Sequence, residues 1–217
     1  MKILINITTY KRPKELKSLV EQLKQFKVDV QVWDDDPKGV KIEGVKYTKF
    51  AINHGKKLLW LKFKNIFEQL KRTNYDYYIF IPDDVILSNN FIENTVETWK
   101  SINDENKICM SLLVDDRLKD QNWTGFEPRE KGNVLLTQWV DFCFICEKKF
   151  LNEISIKQVD PNRWKLNPTL GSGLGSQISW FLYNKGFNLY NIKNKYIQHL
   201  NIASKMNFEE RQKTPLL

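Results

Sequence analysis

Asp83 and Asp84 are the residues whose type and spacing point most directly to chemistry. They follow the apolar run Tyr77-Tyr78-Ile79-Phe80-Ile81 and a proline, Pro82. A run so rich in aromatic and β-branched residues reads as a strand buried on both faces, and Pro82 stops it because proline cannot donate to a sheet ladder. Two carboxylates then stand at the carboxyl end of a central strand, where open α/β sheets place their ligands. Such a pair can hold a divalent cation against a phosphorylated ligand, since hard cations take oxygen donors and leave positions for phosphate oxygens. The alternative is a strand-to-helix turn with Asp as a cap, because Ser88-Asn89-Asn90 precede a helix.

Other polar groups end other strands. Thr8-Thr9-Tyr10-Lys11-Arg12-Pro13 closes the first, and Asp34-Asp35-Asp36-Pro37 the second. Asp141 lies in the apolar stretch WVDFCF, where burial would raise its pKa and poise it as a general base; a core aspartate bonded to backbone is the alternative. Asp160, in a loop with three glycines, is the second choice of base. Of the two histidines, His54 reads as a surface residue of a turn, whereas His199 follows Lys195-Tyr196-Ile197-Gln198 at a late strand end.

The elements that must position these groups alternate. Lys2 to Thr8 is a strand. Pro13 suits the first turn of a helix, Glu15 suits its dipole, and Leu16, Leu19, Val20, Leu23 and Phe26 repeat with helical period. Val28 to Trp33 is the next strand, so the first 37 residues form a βαβ unit. Right-handed crossovers give parallel strands, which puts the Thr8 turn and the Asp34 cluster on one sheet edge. Strand Val45 to Phe50, the turn Asn53-His54-Gly55 and helix Lys56 to Leu70 lead into the strand before Asp83, with Lys57 and Lys62 on a solvated helix face from which either could reach a pyrophosphate. Helix Asn90 to Ser101 and strand Lys107 to Val114 continue the pattern. A long polar loop, Asp115 to Gly132, breaks it, and Trp123 and Phe126 give that loop a sugar-stacking or partly buried character. A strand Val134 to Cys146, a helix Gln177 to Lys185 ended by Gly186 as a C-cap, a strand Phe187 to Ile192 and a loose tail from residue 206 complete the chain.

At 217 residues the chain is one large domain or two small ones, and with 28% charged and 41% hydrophobic residues its composition is that of a soluble globular protein. The formal charge of +8 asks for an anionic partner without choosing among nucleic acid, membrane surface and nucleotide phosphates. No apolar stretch approaches the roughly 20 residues of a membrane span, and the N-terminus is too polar for a signal peptide. A soluble, intracellular, cytoplasmic protein is expected. Cys143 and Cys146 are an odd distance apart in one apolar run, so their side chains should point to opposite faces as buried thiols, with Cys109 a third.

Neither a G-x-x-x-x-G-K-[ST] run nor a G-x-G-x-x-G after the first strand is present, so a bound phosphate must be held by metal and side chains. The order strand-TTYKRP-helix, strand-WDDDP, Asn53-His54-Gly55-helix and strand-PDDV resembles the nucleotide-sugar half of GT-A glycosyltransferases, especially the inverting family-two type. Small GT-A domains of large DNA viruses and of bacteria with AT-rich genomes share its Lys- and Asn-rich look. The resemblance implies a GT-A-like, Rossmann-type mixed sheet, mostly parallel and flanked by helices, in a single domain. Residues 1–92 would bind the nucleotide and residues 93–205 the acceptor. It implies a metal-dependent hexosyl- or deoxyhexosyltransferase that moves a sugar from a nucleoside diphosphate sugar, first of all a UDP-sugar, to a hydroxyl acceptor such as a glycan.

Carried over residue by residue, the resemblance makes Thr8, Tyr10 and Arg12 contacts of the nucleotide. Asp35 or Asp34 would meet the base, Asp83 the ribose, Asp84 the metal, and Lys57 the pyrophosphate. A late histidine in metal-dependent members returns to the cation, which makes His199 a ligand and tilts the choice between Mn²⁺ and Mg²⁺ towards Mn²⁺. The chain departs from the family at Pro82, where many members have another aspartate, and at Gly173-Leu174-Gly175-Ser176-Gln177, where inverting relatives carry a Glu-Asp pair that supplies the base. Two rivals are a sugar-phosphate nucleotidyltransferase, which should show a glycine-rich first loop, and a basic nucleic-acid-binding domain, which should gather its lysines on one face. TTYKRP is not glycine-rich, and Lys and Arg are spread along the whole chain.

Overall fold

The computed structural model describes residues 1–55, 58–114, 128–154, 174–200 and 202. Strand β1 (Ile3–Thr9) turns into helix α1 (Pro13–Leu23), and β2 (Asp29–Asp34) returns parallel to β1 with Thr9 opposite Asp34. Strand β3 (Lys46–Lys49) adds parallel to β2. Helix α2 (Leu59–Leu70) then delivers β4 (Tyr77–Pro82) to the other side of β1, with Thr8 opposite Pro82. After Asp83 and Asp84 come a short strand β5 (Val85–Leu87), helix α3 (Phe91–Ser101) and β6 (Lys107–Ser111). The remaining elements are β7 (Arg129–Lys131), β8 (Val134–Leu136), β9 (Phe144–Cys146), α4 (Lys148–Glu153), α5 (Leu174–Asn184), β10 (Asn188–Ile192) and β11 (Ile197–His199).

Among the described residues, nine strands form one mixed sheet in the order β3-β2-β1-β4-β9-β6-β10-β8-β7. β8 and β9 run against their neighbours, and the other seven strands share one direction. Period-two alternation explains how the centre is buried on both faces. Ile3, Ile5, Ile7, Ile79 and Ile81 face one apolar cluster with Leu16, Leu19, Val20 and Leu23 of α1 and Phe91, Val96 and Trp99 of α3. Leu4, Tyr78 and Phe80 face the opposite cluster, with Phe63, Ile66, Phe67 and Leu70 of α2, Phe150 of α4 and Ile178 and Leu182 of α5. Each of these side chains stabilises the fold by roughly 1.5–3 kcal/mol relative to exposure. The expected βαβ start and the alternating order are therefore what the chain forms. Cys143 and Cys146 fall in opposite clusters, and all three cysteines are free and buried.

Two expectations are corrected. The apolar stretch 134–146 is not one strand: it is split into β8 and β9. Gln138, at φ +54, bends the chain out of the ladder. Its backbone N–H donates to Leu189 O (3.1 Å), its side chain accepts from Leu189 N (3.1 Å), and its amide donates to Asn188 Oδ1 (2.8 Å). Secondly, part of the segment read as a loop through Gly132 is β7, joined to β8 by a tight turn at Gly132 (φ +60) and Asn133. Gly186, at φ +83, ends α5 as expected, with its N–H donating to Tyr183 O (2.9 Å). Among the described residues no helix is long and apolar enough to cross a membrane.

Candidate active site at the carboxyl edge of the sheet

Because β1, β2, β3 and β4 are parallel and in register, their carboxyl ends meet at one edge, and the polar turns seen in the sequence meet there with them. Asp83 and Asp84 form the two-residue link between β4 and β5. They cap no helix: α3 begins seven residues later, after Asn90, whose side chain makes no cap hydrogen bond either. Instead Asp83 Oδ2 accepts from Thr9 Oγ1 (2.6 Å), and Asp83 Oδ1 accepts from Arg12 Nη1 (3.2 Å). The same Arg12 nitrogen makes a short hydrogen bond to Asp84 Oδ2. The other oxygen of Asp84, Oδ1, lies 3.4 Å from His199 Nδ1.

The C-terminal strand makes that last contact possible. β11 pairs antiparallel with β5, His199 standing opposite Val85, and Leu200 N donates to the Asp84 backbone oxygen (2.8 Å). Residues more than a hundred positions apart are thus clamped by a two-stranded ribbon, and the expected neighbourhood of Asp84 and His199 is present.

Burial pushes the Asp83 carboxyl up to about 6, even though Thr9 and Arg12 favour its charged form. Burial works against the Arg12 charge, but the hydrogen bond to Asp84 and the fields of Asp83 and Asp84 outweigh it and raise its pKa above its ordinary value. The linkage has a definite sign. The folded pKa of Asp83 exceeds the unfolded one, so its proton stabilises the fold below about pH 4, and that stabilisation is lost as pH rises through about 6. The full swing is about 3 kcal/mol. Asp83→Asn, which resembles the protonated form, should lack this dependence. The stability gap between wild type and variant, read from chemical denaturation, should move against the wild type between pH 4 and 6 and stay level above. A gap independent of pH would contradict the assignment.

At the β2 end, Asp34 and Asp35 divide their work. Asp34 accepts from Asp36 N (2.8 Å) and from the Tyr47 hydroxyl. Gly39 folds over its carboxylate so closely that a Cβ there would stand 1.9 Å from Asp34 Oδ2. Asp35, 1% exposed, organises the next turn: Oδ1 accepts from His54 N (3.2 Å) and lies 2.6 Å from His54 Nδ1, while Oδ2 accepts from Gly55 N (3.2 Å). Lys62 Nζ is 4.0 Å from that oxygen. Burial lowers the Lys62 pKa against the pull of Asp35, Asp83 and Asp34. Two readings are corrected here. His54 is 2% exposed and packs edge-on against Phe50, so it is no surface residue, and Lys62 is buried and not on a solvated face.

Thr8 is half-buried and Tyr10 is 8% exposed, its hydroxyl accepting from Asn53 Nδ2 (2.9 Å). The first-strand threonine that touches the carboxylate pair is Thr9, not Thr8. Alternation could have found it, since Thr9 continues the Ile3, Ile5, Ile7 face. Helical period could likewise have found Lys62, which stands three residues after Leu59 and four before Ile66. Nothing in the sequence links Asp35 to His54.

Asp141 is exposed and lies outside any strand, not buried in one as expected. Its place is still at this edge. Phe144 pairs with Phe80 in antiparallel β9, so the residues just before it run past the carboxyl end of β4. Cys143, whose thiol is pushed well up by burial and then by Asp141 and Asp84, lies within the field of both carboxylates. Gly175 of α5 approaches the same turn, where a Cβ would meet Val140 O at 2.9 Å. Asp160, Lys57, Trp123 and Phe126 lie outside the described residues.

A divalent cation fits this edge only in part from protein donors. Among the described residues no three His, Cys, Asp or Glu side chains converge as a complete metal site. Asp84 Oδ1 and His199 Nδ1, 3.4 Å apart, stand close to the spacing of about 3 Å between adjacent ligands of an octahedral cation with bonds of about 2.1 Å. They can supply an oxygen and a nitrogen, the rest coming from a ligand.

No protein-family model matches the sequence, and no curated protein matches it. Solved structures do. S. aureus TarS residues 1–349 superposes with a TM-score of 0.55 at 13% identity over 91% of this chain and 59% of that one. A second TarS structure gives 0.55 at 14% identity over 97% and 38%. The mannosyltransferase PcManGT from Pyrobaculum calidifontis, in complex with GDP-Man and Mn²⁺, gives 0.52 at 10% identity over 89% and 55%. The chain thus spans between about two fifths and three fifths of the length of these proteins. It has a GT-A-like glycosyltransferase fold.

Proposed function

We propose that this protein is a metal-dependent glycosyltransferase that moves a hexosyl or deoxyhexosyl group from a nucleoside diphosphate sugar, a UDP-sugar in the first instance, to a hydroxyl acceptor such as a glycan. The observation that carries this reading is the meeting of Arg12, Asp83, Asp84 and His199 at the carboxyl edge of a GT-A-like sheet. Mn²⁺ or Mg²⁺ would be held by Asp84 and His199 together with donor oxygens, and would supply Lewis-acid stabilisation of the departing diphosphate. The complex of PcManGT with GDP-Man and Mn²⁺ supports a divalent cation in this fold.

The chain's own residues do the rest. Asp83, fixed by Thr9 and Arg12, offers a carboxylate to the ribose. The turn Thr8 to Arg12 and the Asp34–Asp35 corner frame the nucleotide, with Asp35 holding the His54 and Gly55 backbone N–H groups and Lys62 close behind the same carboxylate. Lys57 is assigned to the pyrophosphate. Asp141, exposed at the same edge, would take the acceptor proton. Residues 1–92 then serve the donor and residues 93–205 the acceptor. Three free, buried cysteines fit the reducing cytoplasm expected for it.

A thermal-shift panel of UDP, GDP, CDP and TDP, each with and without Mn²⁺, tests the reading. One diphosphate, UDP by expectation, should raise the melting temperature, and more so with Mn²⁺, because selective binding stabilises the folded state by mass action. No shift with any nucleotide, beside tight salt-sensitive RNA binding, would move the assignment to a nucleic-acid-binding domain.

A further inference from the structure

The cation that this edge would hold has a competitor inside the chain. Arg12 Nη1 reaches both Asp83 Oδ1 and Asp84 Oδ2, and the Arg12 side chain is 10% exposed. One guanidinium between two carboxylates leaves a single net negative charge, which attracts a divalent ion less strongly than two unpaired carboxylates would. The guanidinium takes one oxygen of Asp84 and leaves Oδ1 with His199 as the remaining protein donors. The backbone is set for this: Lys11, immediately before Arg12, is held at φ +53, a left-handed conformation that a lysine adopts only when its surroundings impose it.

We propose that Arg12 is a resident counter-cation that makes divalent-cation binding at Asp84 conditional on the donor diphosphate. This rests on the reading of the edge as a nucleotide-sugar site. A diphosphate changes both halves of the balance. It adds negative charge and hard oxygen ligands for the cation, and it offers the guanidinium a second anion of the kind arginine pairs with in bidentate fashion. Without it, Mn²⁺ meets two protein ligands and a neighbouring positive charge. With it, the metal site is complete, and Arg12 can turn from the carboxylates to phosphate.

The test is a Mn²⁺ titration, read by the electron paramagnetic resonance of free Mn²⁺, on wild type, Arg12→Gln and Arg12→Lys, each with and without UDP. Wild type should bind Mn²⁺ alone weakly and at least ten-fold more tightly with UDP. Arg12→Gln should bind Mn²⁺ alone about ten-fold more tightly than wild type, with the effect of UDP reduced, while Arg12→Lys keeps the charge and stays near wild type. If Arg12→Gln binds Mn²⁺ alone no better than wild type, the role of Arg12 is overturned even though UDP still acts. If wild type binds Mn²⁺ equally with and without UDP, the conditional link is overturned, and this arm stands even if the glutamine variant does not fold. Tightening in Arg12→Gln with no nucleotide bound by any variant would instead count against the donor reading on which the link rests.

Discussion

Asp84→Asn should abolish metal-dependent donor hydrolysis and transfer, by about a thousand-fold or more, while leaving the fold intact. A cation contributes several kcal/mol of charge stabilisation in such reactions, and each 1.36 kcal/mol is ten-fold in rate. The fold should survive because the bond that anchors the C-terminal segment is made by the Asp84 backbone oxygen to Leu200 N, and because Arg12 keeps Asp83. Asparagine fills the same volume. A loss of about 1 kcal/mol, or a few degrees of melting temperature for a chain of this size, is the expected structural effect. Normal turnover with a lowered melting temperature would show that Asp84 only braces the β4–β5 link.

Asp141→Asn should lower transfer by about a hundred- to ten-thousand-fold, the range of a lost general base, and leave UDP affinity nearly unchanged. Position, not burial, is the ground for this expectation. Asp141 is exposed, precedes β9 at the carboxyl end of β4, and shares Cys143 with Asp84 as a neighbour in the field. Its carboxylate accepts from Phe142 N (2.8 Å), which fixes its orientation without closing off the second oxygen. An exposed surface aspartate without a role would leave transfer unchanged on substitution, and the base would then be sought at Asp160.

Much of the fold can be read from the chain because its signals are local. The Ile3, Ile5, Ile7 and Ile79, Ile81 alternations, the Leu16 to Leu23 stripe and Pro82 each act within a few residues, and parallel crossovers then bring Arg12, Asp34 and Asp83 to one edge. Harder to see is what depends on distant partners. The stretch 134–146 is apolar enough for one strand, and only the pairing of Gln138 with Asn188 and Leu189 in β10 shows why it breaks. Asp141 looked buried for the same reason. Likewise, Asp35 reads as an available carboxylate until the fold engages it with His54, Gly55 and Lys62. His199 was legible only as a late histidine, and it takes the β5–β11 ribbon to bring it to Asp84.

That ribbon also defines the measurement that bears most directly on the proposed donor site: a Mn²⁺ titration at saturating UDP of wild type, Asp84→Asn, His199→Ala and the double variant. If Asp84 and His199 share one cation, each single change should weaken Mn²⁺ binding by about ten-fold or more, the scale of a disturbed metal site. Residues acting on one centre are not additive, so the double variant should lose less than the two single losses combined. Mn²⁺ affinity that is unchanged in both single variants would contradict the account.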